Sequence, residues 1–123
     1  PVPFFFHGEK YLNSLEKLMK IDFETVITGH GEVQGKMEGY QSLYVTHKCV
    51  FRIKELAEKL CRENPNECEW TICEWIYDTI VAERNFNKEK ALTRKKKSPG
   101  ERHSDYETYD LPGISYFVSK ARF

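Results

Sequence analysis

The sequence predicts an α/β fold over its first third, continued by a mostly helical segment. Two observations predict it. Residues 1–36 pass from a continuous aromatic run to a helical apolar repeat and then to a short β-prone run that ends in glycines. From residue 37 to about 92 the apolar residues recur at three and four positions, the spacing of helices with one buried face. Loops at strand ends carry chemistry in α/β arrangements, which directs attention to the glycines.

Taken in order, residues 1–7 are an aromatic, β-prone entry, with Phe4, Phe5 and Phe6 in a row. A continuous apolar run suits a segment covered on both faces. Residues 9–20 read as a helix: Leu12, Leu15, Leu18 and Met19 form one face, and Glu9, Lys10, Glu16, Lys17 and Lys20 the other. Residues 23–27 follow as a strand and 29–36 as a loop. A long helix is expected over 37–63, with Tyr40, Leu43, His47 and Val50 on a stripe continued by Ile53, Ala57 and Leu60.

Asn64-Pro65 breaks that helix. Asn64 is a candidate cap for the next, with Pro65 in its first turn and Glu67 at the capping-box position. The second helix is expected to reach Arg84, with Trp70, Cys73, Tyr77, Ile80 and Val81 as its apolar face. Trp70 and Trp75 fall on different faces, which leaves one for the surface. Asn85 or Asn87 is read as the cap of a short helix through Leu92. Residues 93–105, with Arg94-Lys95-Lys96-Lys97 and Ser98-Pro99-Gly100, read as a basic linker. In the tail, 106–123, Leu111-Pro112-Gly113 reads as a turn, and Ile114 to Val118 as a terminal strand or a docked apolar tail. The domain organisation is therefore 1–36, 37–92, 93–105 and 106–123.

Composition narrows the function classes. The 123 residues are 40% hydrophobic and 14% aromatic, enough for a core. Nineteen basic residues balance nineteen acidic ones, nine of each falling up to Glu63 and ten of each after it. Neither nucleic acid nor an anionic membrane is favoured as a partner. The basic run lacks interleaved aromatics, so it reads as solvated rather than as a single-strand binder. No apolar run approaches the length of a membrane span. Cys49, Cys61, Cys68 and Cys73 match no zinc-ribbon spacing. They read as reduced, buried thiols of a cytoplasmic protein. The chain opens Pro-Val-Pro without an initiator Met, which fits a processed start or a fragment.

The motif that carries chemistry is Thr28-Gly29-His30-Gly31 at the end of the expected strand. Glycines leave room for a ligand or metal to approach and permit backbone angles closed to other residues. Alone, Gly-His-Gly is more often just a plain turn. His7, beside Gly8 after the aromatic run, is a candidate for a substrate pocket near His30, against the reading of a turn residue. His47 lies on its helix's apolar stripe and reads as a hydrogen-bonded core or boundary residue. His103 falls in the linker with no assigned role. Asp22 and Glu24 read as solvated or capping residues.

The flanks of His30 add a resemblance. From Tyr11 to Lys36 the chain reads YLNSLEKLMKIDFETVITGHGEVQGK. This resembles the C-terminal part of the metallo-β-lactamase-fold hydrolases, in which a helix of the pattern SLEKL leads through DFDTVIPGHG to a loop often ending in Gly-Lys. The match covers about residues 1–36 and extends loosely to 60. Thr28 departs from it, standing where the family commonly has proline. The resemblance implies an αββα sandwich with two metals, zinc or iron, at one edge, and His30 as the last metal-ligating histidine. A metal-held hydroxide would supply a nucleophile for an ester, thioester, lactam or phosphodiester of a small-molecule substrate.

The rest of that site is not in this sequence. The family's His-x-His-x-Asp-His motif is absent, as is its metal-bridging aspartate, and one histidine cannot hold a catalytic zinc. The expectation is thus a C-terminal fragment of a metal-dependent hydrolase, silent by itself, with no catalytic residue of its own. Its helices from Met37 onward would cover the site edge, shape substrate choice or mediate dimerisation. A fragment should also expose Phe4, Phe5 and Phe6 where missing strands would pack. The competing expectation is a non-enzymatic, α-rich module that binds a protein partner.

Overall fold

A computed structural model describes residues 5–29, 32–84 and 111–123. Its described residues form four helices and one two-stranded sheet. In order they are α1 (Gly8–Met19), β1 (Thr25–Val26), β2 (Gln34–Gly35), α2 (Lys36–Glu63), α3 (Glu69–Arg84) and α4 (Leu111–Arg122). The sheet is a minimal antiparallel ladder pairing Thr25 with Gly35 and Val26 with Gln34. None of the described helices is long and apolar enough to cross a membrane.

This overturns the expected αββα sandwich: the chain is a small, mostly helical structure. The physical reason lies in what covers each apolar run. Phe23, expected inside a strand, instead lays its ring against Tyr40 of α2, with centroids 4.4 Å apart. Only two residues of that run find a ladder partner. The aromatic entry does not pair as a strand at Phe5. That ring is 4% exposed, stacked on Tyr11 of α1 at 5.2 Å and edge-on to Phe117 of α4 at 5.9 Å. Phe6 points outward, 66% exposed, and Phe4 lies outside the described residues.

The core is one cluster shared by all four helices. Leu12 enters from α1, Val50, Ile53, Leu56 and Ala57 from α2, Ile72, Ile76 and Ile80 from α3, and Ile114, Phe117 and Val118 from α4. Among the described residues no polar or charged side chain is buried with them. α4 replaces the expected terminal strand. Ile114, Phe117 and Val118 have the i, i+3, i+4 spacing of one helical face, and Pro112 sits in the first turn, where its missing N–H costs nothing. Gly8 lets α4 come close to α1, because a Cβ there would sit inside the Phe117 ring.

α2 spans almost the expected residues, and its end differs in detail. Asn64 closes α2 rather than opening α3: its N–H and its side-chain amide both donate to the Leu60 carbonyl, at 2.9 and 3.0 Å. α3 begins at Glu69, past the expected start, while Glu67 accepts from the Cys68 N–H at 3.1 Å. Arg122 of α4 donates to the Glu67 carbonyl and tethers the C-terminal helix to this turn. Between helices run two surface ion pairs, Lys54 with Glu9 at 3.1 Å and Arg52 with Glu83 at 2.9 Å, and a hydrogen bond between His47 and Glu16 at 3.0 Å. The expected short helix after Arg84 and the basic linker lie outside the described residues.

Candidate functional site

The site the sequence singles out is the connection between β1 and β2. His30 and Gly31 themselves lie outside the described residues, so the structure defines the two feet on which their loop stands.

The first foot follows the end of α1, where the Ile21 N–H donates to the Leu18 carbonyl at 3.1 Å. The Ile21 carbonyl accepts from the Tyr40 hydroxyl at 2.5 Å, which ties the first foot to α2. Phe23 and Val26 then pack over Gly39 of α2. A Cβ on Gly39 would lie 2.6 Å from a Val26 methyl and 2.8 Å from the Phe23 ring, so this close approach requires glycine. The second foot, Gln34–Gly35, runs directly into α2. The two are locked by the ladder and by the Lys36 ammonium, which donates to the Asp22 carboxylate at 2.6 Å. Gln34 Oε1 is buried without a hydrogen-bond partner among the described residues.

Sequence reading missed this clamp. Asp22 was expected to be solvated or capping, and Lys36, Gly39 and Tyr40 carried no site role. The available signal was the placement of opposite charges on either side of the Gly-His-Gly run. Of the two glycines that flank His30, Gly29 has no positive φ and faces open space, and Gly31 lies outside the described residues.

His7 is placed at the start of α1, where its Nδ1 accepts from the Lys10 N–H at 3.2 Å as the helix cap. That bond puts the ring proton on Nε2, which stands 3.5 Å from the Tyr116 hydroxyl of α4. The two rings are in contact, centroids 4.5 Å apart. Tyr116 in turn lines an open groove with Phe6, Pro112, Ser115, Ser119, Lys120 and Phe123, a set that does not include His7. His47, on α2, hydrogen-bonds Glu16 at the α1–α2 boundary, the role expected for it. His103 lies outside the described residues.

No cysteine is in a disulfide; Cys49, Cys61 and Cys73 are buried and Cys68 is exposed. Burial pushes the Cys73 thiol up to about 12, with Glu69, Cys61, Cys68 and Glu74 adding to the shift. A thiol held this way is inert as nucleophile or ligand at neutral pH. Burial also raises the Tyr11 phenol, with a smaller contribution from Cys49.

A catalytic zinc needs about three protein ligands. Among the described residues no three His, Cys, Asp or Glu side chains converge to hold a metal, so these residues do not make a metal centre of their own. No hydrolytic step is assigned to them. What they do is hold residues 21–26 and 34–35 against each other and against α2.

No family model matches the chain, and no curated protein or solved structure matches it.

Proposed function

We propose that this chain is the C-terminal portion of a metal-dependent hydrolase related to the metallo-β-lactamase superfamily, in which His30 is one metal ligand and the helices form an added body. The observation that carries this reading is the clamp. A metal ligand has to be held within a fraction of an ångström, on rigid elements. The segments on either side of residues 30–31 pair in a ladder and are braced by Lys36–Asp22 and by Tyr40 on the Ile21 carbonyl. The order of helix, strand, Gly-His-Gly and Gly-Lys that marks the resemblance supports it independently. The metal, zinc or iron, would supply Lewis acidity and an activated water to a small-molecule substrate; this chain's part is to present one imidazole. By itself the chain is inactive. Thiols without disulfides support a cytoplasmic setting.

The test is metal analysis of the complete encoded product beside its His30→Ala variant. Loss of metal and of hydrolysis in the variant is expected. Stoichiometric, tight zinc binding by the 123-residue chain alone would contradict the claim that its site is incomplete.

A second reading, a non-enzymatic helical interaction module, is favoured by one specific observation. Phe5 is buried by this chain's own α1 and α4, not left bare for missing strands. The same metal analysis separates the two readings, because a module retains no metal in any form.

A further inference from the structure

The joint between the start of α1 and α4 is built around one imidazole. His7 has extended backbone angles and caps α1 with its ring, Nδ1 accepting from the Lys10 N–H at 3.2 Å. The same ring lies against Tyr116 of α4, centroids 4.5 Å apart, with Nε2 3.5 Å from the hydroxyl. On either side of His7 the chain is packed into α4. Phe5 lies edge-on to Phe117 at 5.9 Å and fills the space a Cβ on Gly113 would take. Gly8 brings its backbone against the Phe117 ring. Residues 5–8 thus dock on α4, and His7 is their polar anchor.

The preferred caps, Ser, Thr, Asp and Asn, accept a hydrogen bond throughout the neutral and mildly acid range. An imidazole accepts only while it is neutral, because both nitrogens of the protonated ring are donors. Protonation of His7 removes the acceptor from the Lys10 N–H. It also sets a positive charge against the positive end of the α1 dipole. We propose that His7 is an acid-sensitive latch: protonation of its ring opens the first turn of α1 and loosens residues 5–8 from α4.

Among the described residues no carboxylate pairs with His7 to hold the proton in place. Glu9, the acidic residue of the first turn, is engaged by Lys54 of α2 at 3.1 Å. Lys10 beside it is a cation, and so is Lys120, which lines a groove with Tyr116. From α4 the ring meets the Tyr116 hydroxyl, a group without charge. The far end of α1 has the opposite requirement. Glu16 meets His47 of α2 at 3.0 Å, beside the Phe51 ring, and protonation of His47 strengthens that bond. Acid therefore opens α1 from its first turn and leaves its second half seated on α2. Burying a phenylalanine ring is worth more than a helix cap, so acid raises the open population without emptying the closed one. This inference does not depend on the metal reading.

The experiment is nuclear magnetic resonance of the 123-residue chain and of His7→Asn, whose amide caps a helix without titrating. At neutral pH the wild-type His7 ring should carry its proton on Nε2, read from the ring nitrogen shifts. The Lys10 and Tyr11 amides, bonded to the His7 ring and carbonyl, report the latch by hydrogen exchange. Corrected for intrinsic exchange, their protection should fall about fivefold from about pH 7.5 to about pH 5, while that of Ile53 in α2 holds. In His7→Asn their protection should stay level across the same range. A wild-type ring protonated on Nδ1 at neutral pH overturns the proposal, as does wild-type protection that does not change with pH. A His7→Asn chain that loses protection as steeply as wild type assigns the response to another group and overturns it too.

Discussion

The Asp22 carboxylate and the Lys36 ammonium meet at 2.6 Å, fourteen residues apart, across the two feet of the Gly-His-Gly loop. Both side chains reach solvent, 83% and 46% exposed, so the pair is screened and contributes about 0–1 kcal/mol to global stability. Its effect should be local. Lys36→Met is expected to leave the melting temperature nearly unchanged while speeding amide exchange in 25–26 and 34–35. An equal loss of global stability and local protection would show that the pair is not a clamp.

Gly39 gives the sharper probe of the same site. Replacing an exposed helical glycine with alanine ordinarily stabilises by about 1 kcal/mol. Here the new methyl would press on Val26 and Phe23 at 2.6 and 2.8 Å, and overpacking of this kind costs about 1–3 kcal/mol. Gly39→Ala should therefore be neutral to destabilising in urea melts and should loosen the hairpin. A gain in stability would mean that Phe23 does not pack where α2 places it.

Phe5 and Phe6 test how the N-terminal segment is used. Phe5 is locked between Tyr11 and Phe117, whereas Phe6 is exposed. Phe5→Ala should cost about 3–5 kcal/mol, the range for a large core ring. Phe6→Ala should stay within about 0.5 kcal/mol of wild type. Equal effects in chemical denaturation would contradict the placement of residue 5 in the helical core.

These contrasts show which parts of the fold the sequence carried. α1 and α2 were legible because their apolar residues, Leu12 and Leu15, then Val50, Ile53 and Ala57, repeat with one clear period. Ile114 to Val118 was not, because a five-residue apolar run fits strand and helix alike. Pro112-Gly113 suggested a turn where it opens a helix, and Asn64 suggested an N-cap where it closes one. The sandwich failed for another reason. Strand pairing depends on neighbours, and for Phe23 the neighbour is Tyr40 of a helix. At the site, the histidine and its glycines were visible as a motif. The Asp22–Lys36 brace and the Gly39 contact arise only when the chain turns back on itself.

Cys73 predicts an alkaline limit on stability. Its folded thiol is raised to about 12 from an ordinary value of 9.0, so folding holds the proton more tightly than the unfolded chain does. That contribution is complete below pH 9 and is lost as pH rises from there through about 12. Urea melts across this range should show wild type losing stability faster than Cys73→Ala. Parallel pH profiles would place the thiol in water.

The most direct measurement is the metal content of the complete encoded product, by elemental mass spectrometry, beside its His30→Ala variant. The account predicts bound zinc or iron in the first, and loss of both metal and hydrolysis in the second, with helical content preserved. Unchanged metal and hydrolysis in His30→Ala would contradict it, leaving Gly-His-Gly as a turn between two short strands.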